Sequence, residues 1–149
     1  MWNEKRSLWL SKACTLAFCA VLVAVVVAAP WLAKWLVTVA PSVQPQHTTL
    51  LLVTVYVGAV PAAALLVCLY RLLHNIGKGQ VFTAKNLSLL RAISWFCFAG
   101  AAVCFASMLY YTTWGIVGVA AAFVGLIVRV VKNVLAQAML LKEENDYTI

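Results

Sequence analysis

Residues 92–128 read AISWFCFAGAAVCFASMLYYTTWGIVGVAAAFVGLIV, 37 consecutive residues without one charged side chain. As a single helix, at about 1.5 Å per residue, this run would be roughly 55 Å long, against a hydrocarbon core about 30 Å thick. Tilt does not absorb such an excess. The run must fold back on itself, and Tyr110-Tyr111-Thr112-Thr113-Trp114-Gly115 is the place to turn. It therefore predicts two membrane crossings joined by a tight connection.

Upstream, Trp35 to Tyr70 is a second charge-free run, of 36 residues. Pro41, Gln44, Pro45, Gln46 and His47 make a polar loop there, followed by one crossing. Ala13 to Ala33, 21 residues without a charge, is one more. The expectation is an all-α protein, a single four-helix transmembrane domain over residues 1–149. Its spans fall at about 13–35, 48–71, 92–111 and 114–132, with a tail over 133–149. Composition agrees: 65% of the 149 residues are hydrophobic and 10% are charged, whereas a soluble domain carries about 25% charged residues. A secretory signal peptide is the competing reading of the first apolar stretch. That stretch exceeds a signal core of roughly 7–15 residues, and Pro30 and Trp31 do not suit cleavage after Ala28-Ala29. Helix one is expected to be retained.

Orientation follows from the eleven Lys and Arg residues. Lys5, Arg6 and Lys12 precede the first span; Arg71, Lys78, Lys85 and Arg91 lie between the second and third; Arg129, Lys132 and Lys142 follow or end the fourth. Only Lys34 falls on the other side. Basic residues stay in the cytoplasm, so both termini are expected to be cytoplasmic. The aromatic residues fit this placement. Trp9 and Trp95 fall at the inner edge, and Trp31, Trp35, Tyr110, Tyr111 and Trp114 at the outer edge, where amphipathic rings anchor in the headgroups.

Within the spans, Pro61, near Gly58, predicts a kink in helix two. Gly118, Ala121, Ala122 and Gly125 share a face of helix four, and Gly100 and Cys104 lie four apart on helix three. Such small residues let helices approach closely, within one chain or in a homo-oligomer. Helix four is expected to run on past the membrane, with Val130, Val131, Val134, Leu135, Ala138 and Met139 as an apolar stripe opposed by Lys132, Asn133 and Gln137.

The most patterned stretch is Arg71 to Trp95, RLLHNIGKGQVFTAKNLSLLRAISW. Gly77 and Gly79 end helix two, and Thr83 is a natural N-cap for a new helix. Leu87, Leu90 and Ile93 then form an apolar edge at helical spacing, while Lys85, Asn86 and Arg91 face elsewhere. The picture is a short amphipathic helix at the inner interface leading into helix three, its basic residues gaining about 1 kcal/mol each from anionic lipid.

This stretch resembles the signature of the "domain of unknown function 2975" family of small bacterial membrane proteins. The matching elements are Asn75-Ile76, Gly79, Val81-Phe82, Asn86, Leu90-Arg91 and Ile93-Ser94-Trp95. The closing Glu144-Asn145-Asp146-Tyr147-Thr148-Ile149 is similar to that family's acidic tail, with Tyr147 in place of Leu. The resemblance implies a four-pass protein of the bacterial cytoplasmic membrane without an assigned biochemical activity. It also implies an association with a small helix-turn-helix regulator encoded nearby.

Catalytic chemistry has no foothold in this pattern. All four acidic residues are terminal, at Glu4, Glu143, Glu144 and Asp146, so no paired carboxylates sit within the spans for acid–base work or ion coupling. Cys14, Cys19, Cys68, Cys97 and Cys104 all lie in apolar segments without a Cys-x-x-Cys pair; they read as small packing residues, not as zinc ligands or disulfides. His47 and His74 fall on opposite sides of the membrane and read as solvated or interfacial. Gly77-Lys78-Gly79 lacks the spacing and the preceding strand of a phosphate loop. The excess of +4 over residues 71–91 is matched by anionic lipid, so no direct nucleic-acid binding is expected.

The resulting expectation is a non-enzymatic membrane regulator or sensor, without cofactor or metal, that docks a cytoplasmic partner such as a helix-turn-helix transcription factor. Its candidate partner-binding residues are Asn75, Gly79, Phe82, Asn86, Arg91, Trp95, Glu144, Asn145, Asp146, Thr148 and Ile149. The alternatives are an oligomeric small transporter or resistance factor for an apolar compound, with Tyr56, Gly58 and Pro61 near mid-membrane, or a structural subunit of a membrane complex.

Overall fold

In a lipid solvent every backbone polar group must find a partner within the chain, and a helix does this locally. The computed structural model describes residues 3–147, and each long apolar run in it is helical. Helix α1 is Glu4–Val39, α2 Thr48–Gly77, α3 Ala84–Ser107 and α4 Thr113–Tyr147, with a single 3-10 turn at Pro45–His47 before α2. All four are long and apolar enough to cross a membrane, and no strand occurs among the described residues. Thr148 and Ile149, the last two candidate partner-binding residues, lie outside the described residues.

The helices pack in chain order, α1 on α2, α2 on α3 and α3 on α4. Two apolar clusters hold them. At the basic end, Leu72 of α2 meets Leu90, Ile93 and Cys97 of α3, with Val128 and Leu135 of α4 against them. At the opposite end, Ala33 of α1, Val43 of the loop and Leu51 of α2 pack with Tyr110, Tyr111 and Trp114. Val43 is buried there, so the α1–α2 loop plugs its end of the helices.

Glycines decide how close two of the seams come. A Cβ on Gly77 would lie 2.9 Å from Leu8 of α1. On α4, a Cβ on Gly118 would meet the Phe105 ring at 3.1 Å and Cys104 at 3.3 Å; one on Gly125 would meet Cys97 and Phe98 at 3.1 Å. Gly118 and Gly125 therefore face Cys104 and Cys97 at a seven-residue repeat in antiparallel register. Small groups interdigitate there because lipid supplies no hydrophobic drive between helices. The Ser94 hydroxyl crosses the same seam and donates to the Gly125 carbonyl at 3.1 Å. Gly100 has nothing within 4 Å of its would-be Cβ, so of the pair expected on helix three only Cys104 belongs to the seam.

Several boundaries differ from expectation. The α3–α4 connection occupies residues 108–112, and Trp114 and Gly115 already belong to α4. The Met108 side chain occupies the space a Cβ on Gly115 would need, so this glycine lets the turn fold onto the first turn of α4. No separate amphipathic helix stands between α2 and α3; that stretch is the start of a continuous α3. Pro61, where a kink is expected, lies inside α2. Trp114 and Tyr110 are half-buried, unlike the exposed Trp31 and Trp35, and point their polar groups into the protein. Helix α4 continues through the polar tail to Tyr147, 35 residues in all.

Candidate functional site

At the basic end, α2 stops where Lys78 and Gly79 fold back on its last turn. Lys78 N–H donates to the carbonyls of His74 and Asn75, and Gly79 N–H to that of Ile76. Gly79 has φ +78°, a left-handed conformation that a side chain disfavours and that often ends helices. The chain then runs to Thr83, whose hydroxyl accepts the Asn86 N–H at 3.3 Å and caps α3.

Asn86 is the centre of this turn. It is 1% exposed, the most completely buried large side chain among the described residues. Its amide donates to the carbonyls of Gln80 at 2.6 Å and Val81 at 2.9 Å, and its oxygen accepts from the Asn75 amide at 3.1 Å. The expectation that Asn86 faces away from the apolar edge is thus corrected. It shares the buried face with Leu90, Ile93 and Cys97, where its amide supplies donors to the Gln80 and Val81 carbonyls. Asn75 and Asn86 are therefore joined as an internal clamp, while Gly79 ends α2 in the turn between them.

The remaining candidates among the described residues lie on the surface. Phe82, Arg91 and Trp95 are exposed, Trp95 at 59%. The Lys142 ammonium stands 5.3 Å above the Phe82 ring, linking α4's extension to the turn. The Arg129 guanidinium lies 5.9 Å from the Trp95 ring. Such cation–π pairs are worth about 0.5–1 kcal/mol when exposed. Glu144, Asn145 and Asp146 occupy the exposed last turns of α4. Two basic clusters flank α3. Arg71, His74 and Lys85 border one concavity, and Arg91, Arg129 and Lys132 another.

At the opposite end lies a polar hub that the sequence reading did not single out. Thr54 of α2 bonds the Ser107 hydroxyl of α3 at 2.8 Å and the Tyr110 hydroxyl of the following turn. The Leu50 and Val103 carbonyls accept the remaining protons, from Thr54 or Tyr110 and from Ser107. The signal available was hydroxyl residues inside otherwise apolar spans, since a membrane helix gains by pairing them with a neighbour. Beside this hub, Trp114 lines an apolar cavity of about 210 Å³ with Thr54, Gly58 and Val103. The buried Trp114 Nε1 and His47 Nδ1 have no hydrogen-bond partner among the described residues.

Among the described residues, no three His, Cys, Asp or Glu side chains converge as a metal site. No curated protein and no solved structure matches this chain. A family model does match, over residues 31–149, which takes in the last turns of α1 and everything after it. The clamp, the basic turn and all of α4 fall within that match. The chain thus belongs to the family described as "Protein of unknown function (DUF2975)".

Proposed function

We propose that the protein is a non-enzymatic regulator or sensor of the bacterial cytoplasmic membrane, both termini cytoplasmic, that docks a cytoplasmic partner at its basic end. The observation that carries this reading is α4's extension. After Arg129 the helix continues to Tyr147, roughly 27 Å at about 1.5 Å per residue. Along it Leu140 and Leu141 stay 62% and 66% exposed beside Glu143 and Asp146. An apolar pair next to acidic groups suits a partner with a basic, partly apolar surface, such as a helix-turn-helix protein.

The test is co-purification of the tagged full-length protein from its native membranes, with the captured proteins searched for a cytoplasmic helix-turn-helix regulator. Wild type is expected to retain such a regulator, and Leu140→Glu/Leu141→Glu to lose it while keeping its membrane fraction and helical spectrum. Failure of the wild type to retain it, or equal retention by the variant, refutes docking on this extension.

A second reading draws on the cavity of about 210 Å³ lined by all four helices, which would hold a small apolar compound. Of the residues expected to serve such a carrier, Gly58 lines this cavity and Tyr56 is exposed on the outer surface of α2. Native mass spectrometry in detergent separates the readings: a ligand-free monomer argues against transport.

A further inference from the structure

The concavity bordered by Arg71, His74 and Lys85 is an open groove of about 430 Å³ between α2 and α3, within the range of about 300–1,000 Å³ usual for small-ligand sites. Its walls are two helical faces with the same spacing. Arg71, His74 and Asn75 stand at i, i+3 and i+4 on α2; Lys85, Ser88 and Leu89 do so on α3. That spacing puts each trio on one face. The Asn75–Asn86 bond ties the two faces together. No acidic side chain lines it. Its rim includes Tyr70, the last residue of the charge-free run that begins at Trp35. The cavity therefore opens where hydrocarbon gives way to headgroups.

We propose that this cavity binds a phosphate group, and that the phosphate belongs to the headgroup of an acidic phospholipid. The Arg71 guanidinium offers paired N–H donors matched to phosphate oxygens, and Lys85 adds a point charge. Ser88 contributes a hydroxyl, and Asn75 has a second amide hydrogen beyond the one given to Asn86. The Tyr70 ring and Leu89 provide the apolar side along which an acyl chain leaves. Basic pockets between transmembrane helices on the anionic leaflet recognise lipid headgroups in this way. The second basic cluster, Arg91, Arg129 and Lys132, has comparable charge but encloses only about 30 Å³, and its Arg129 is engaged with Trp95. It has the charge without the room. The inference is independent of any protein partner.

The test uses the full-length protein in detergent, with native mass spectrometry and thermal unfolding as readouts. The probes are phosphatidylglycerol, phosphatidylcholine, glycerol 1-phosphate and inorganic phosphate. Wild type is expected to retain phosphatidylglycerol over phosphatidylcholine. Arg71→Gln/Lys85→Gln is expected to weaken that retention about thirtyfold, equivalent to about 2 kcal/mol at about 1.4 kcal/mol per tenfold. Arg91→Gln/Lys132→Gln, with the same loss of charge, should change it less than threefold. Ser88→Phe fills the space at an exposed helical position without touching charge, and should also abolish retention. Equal weakening by the two charge variants, full retention by Ser88→Phe, or equal retention of phosphatidylcholine would each overturn the proposal. Failure of both soluble phosphates to displace the lipid supports a lipid-borne ligand. Displacement by either at millimolar concentration supports the phosphate site and overturns its lipid source.

Discussion

Replacing Asn86 by Asp alters the clamp with almost no change of shape. The oxygen that accepts from Asn75 at 3.1 Å is kept, but the amide that donates to Gln80 and Val81 becomes an oxygen set 2.6 and 2.9 Å from two carbonyls. Two hydrogen bonds worth about 0.5–1.5 kcal/mol each are lost, and a carboxylate is placed where the native side chain is 1% exposed. The Gln80 carbonyl belongs to an exposed residue and regains water in part. The expected destabilisation is about 2–4 kcal/mol at pH 8. Protonating the new carboxyl restores one donor, so the deficit should shrink as pH falls towards 4.5. Asn86→Ala removes all three bonds without adding repulsion and should cost about 2 kcal/mol at either pH. Reversible unfolding in SDS mixed micelles, followed by far-UV circular dichroism, measures both. If Asn86→Asp at pH 8 unfolds within about 0.5 kcal/mol of wild type, the clamp does not hold the turn and the reasoning fails.

Three further outcomes follow from the packing and the turn geometry. Gly125→Ala forces a Cβ to 3.1 Å from Cys97 and Phe98 and should cost about 1–3 kcal/mol. Gly100→Ala meets nothing within 4 Å and should be neutral or stabilise by up to about 1 kcal/mol; the opposite ranking in the same unfolding assay would place the α3–α4 seam elsewhere. Thr54→Val deletes the hub hydroxyl and should cost about 1 kcal/mol, membrane hydrogen bonds averaging about 0.6 kcal/mol. A double-mutant cycle with Ser107→Ala should show coupling, and strict additivity would contradict the 2.8 Å contact. Gly79→Ala should cost about 1–2 kcal/mol through its φ of +78° alone, since the space around it is open, and Gly79→Asn should cost less. Equal stability of the Ala and Asn variants would show that strain is not the cause.

Much of the candidate site was legible residue by residue, but not in its roles. Thr83 as a cap and Gly79 as a helix stop are local signals, readable because each satisfies or releases its own neighbours' backbone groups. Asn86 was misread because helical spacing alone places a polar residue outward. The Gln80 and Val81 carbonyls, which take its two amide hydrogens, draw it in. Tyr110 and Trp114 were read as interfacial anchors on composition. The hub around Thr54 and Ser107 turned Tyr110 inward, and nothing in a one-dimensional pattern marks which hydroxyls will meet across 53 residues.

From the sequence by itself came the number of helices and their capacity to cross a membrane. These are properties of each segment separately: a charge-free run either spans a hydrocarbon layer or must double back within it. Which faces meet was decided only in three dimensions. Gly100, Gly118 and Gly125 look alike along the chain, yet only the latter two are seam residues, because Cys104 and Cys97 stand opposite them. Close packing is a pairwise property, and a single sequence states only one side of each pair.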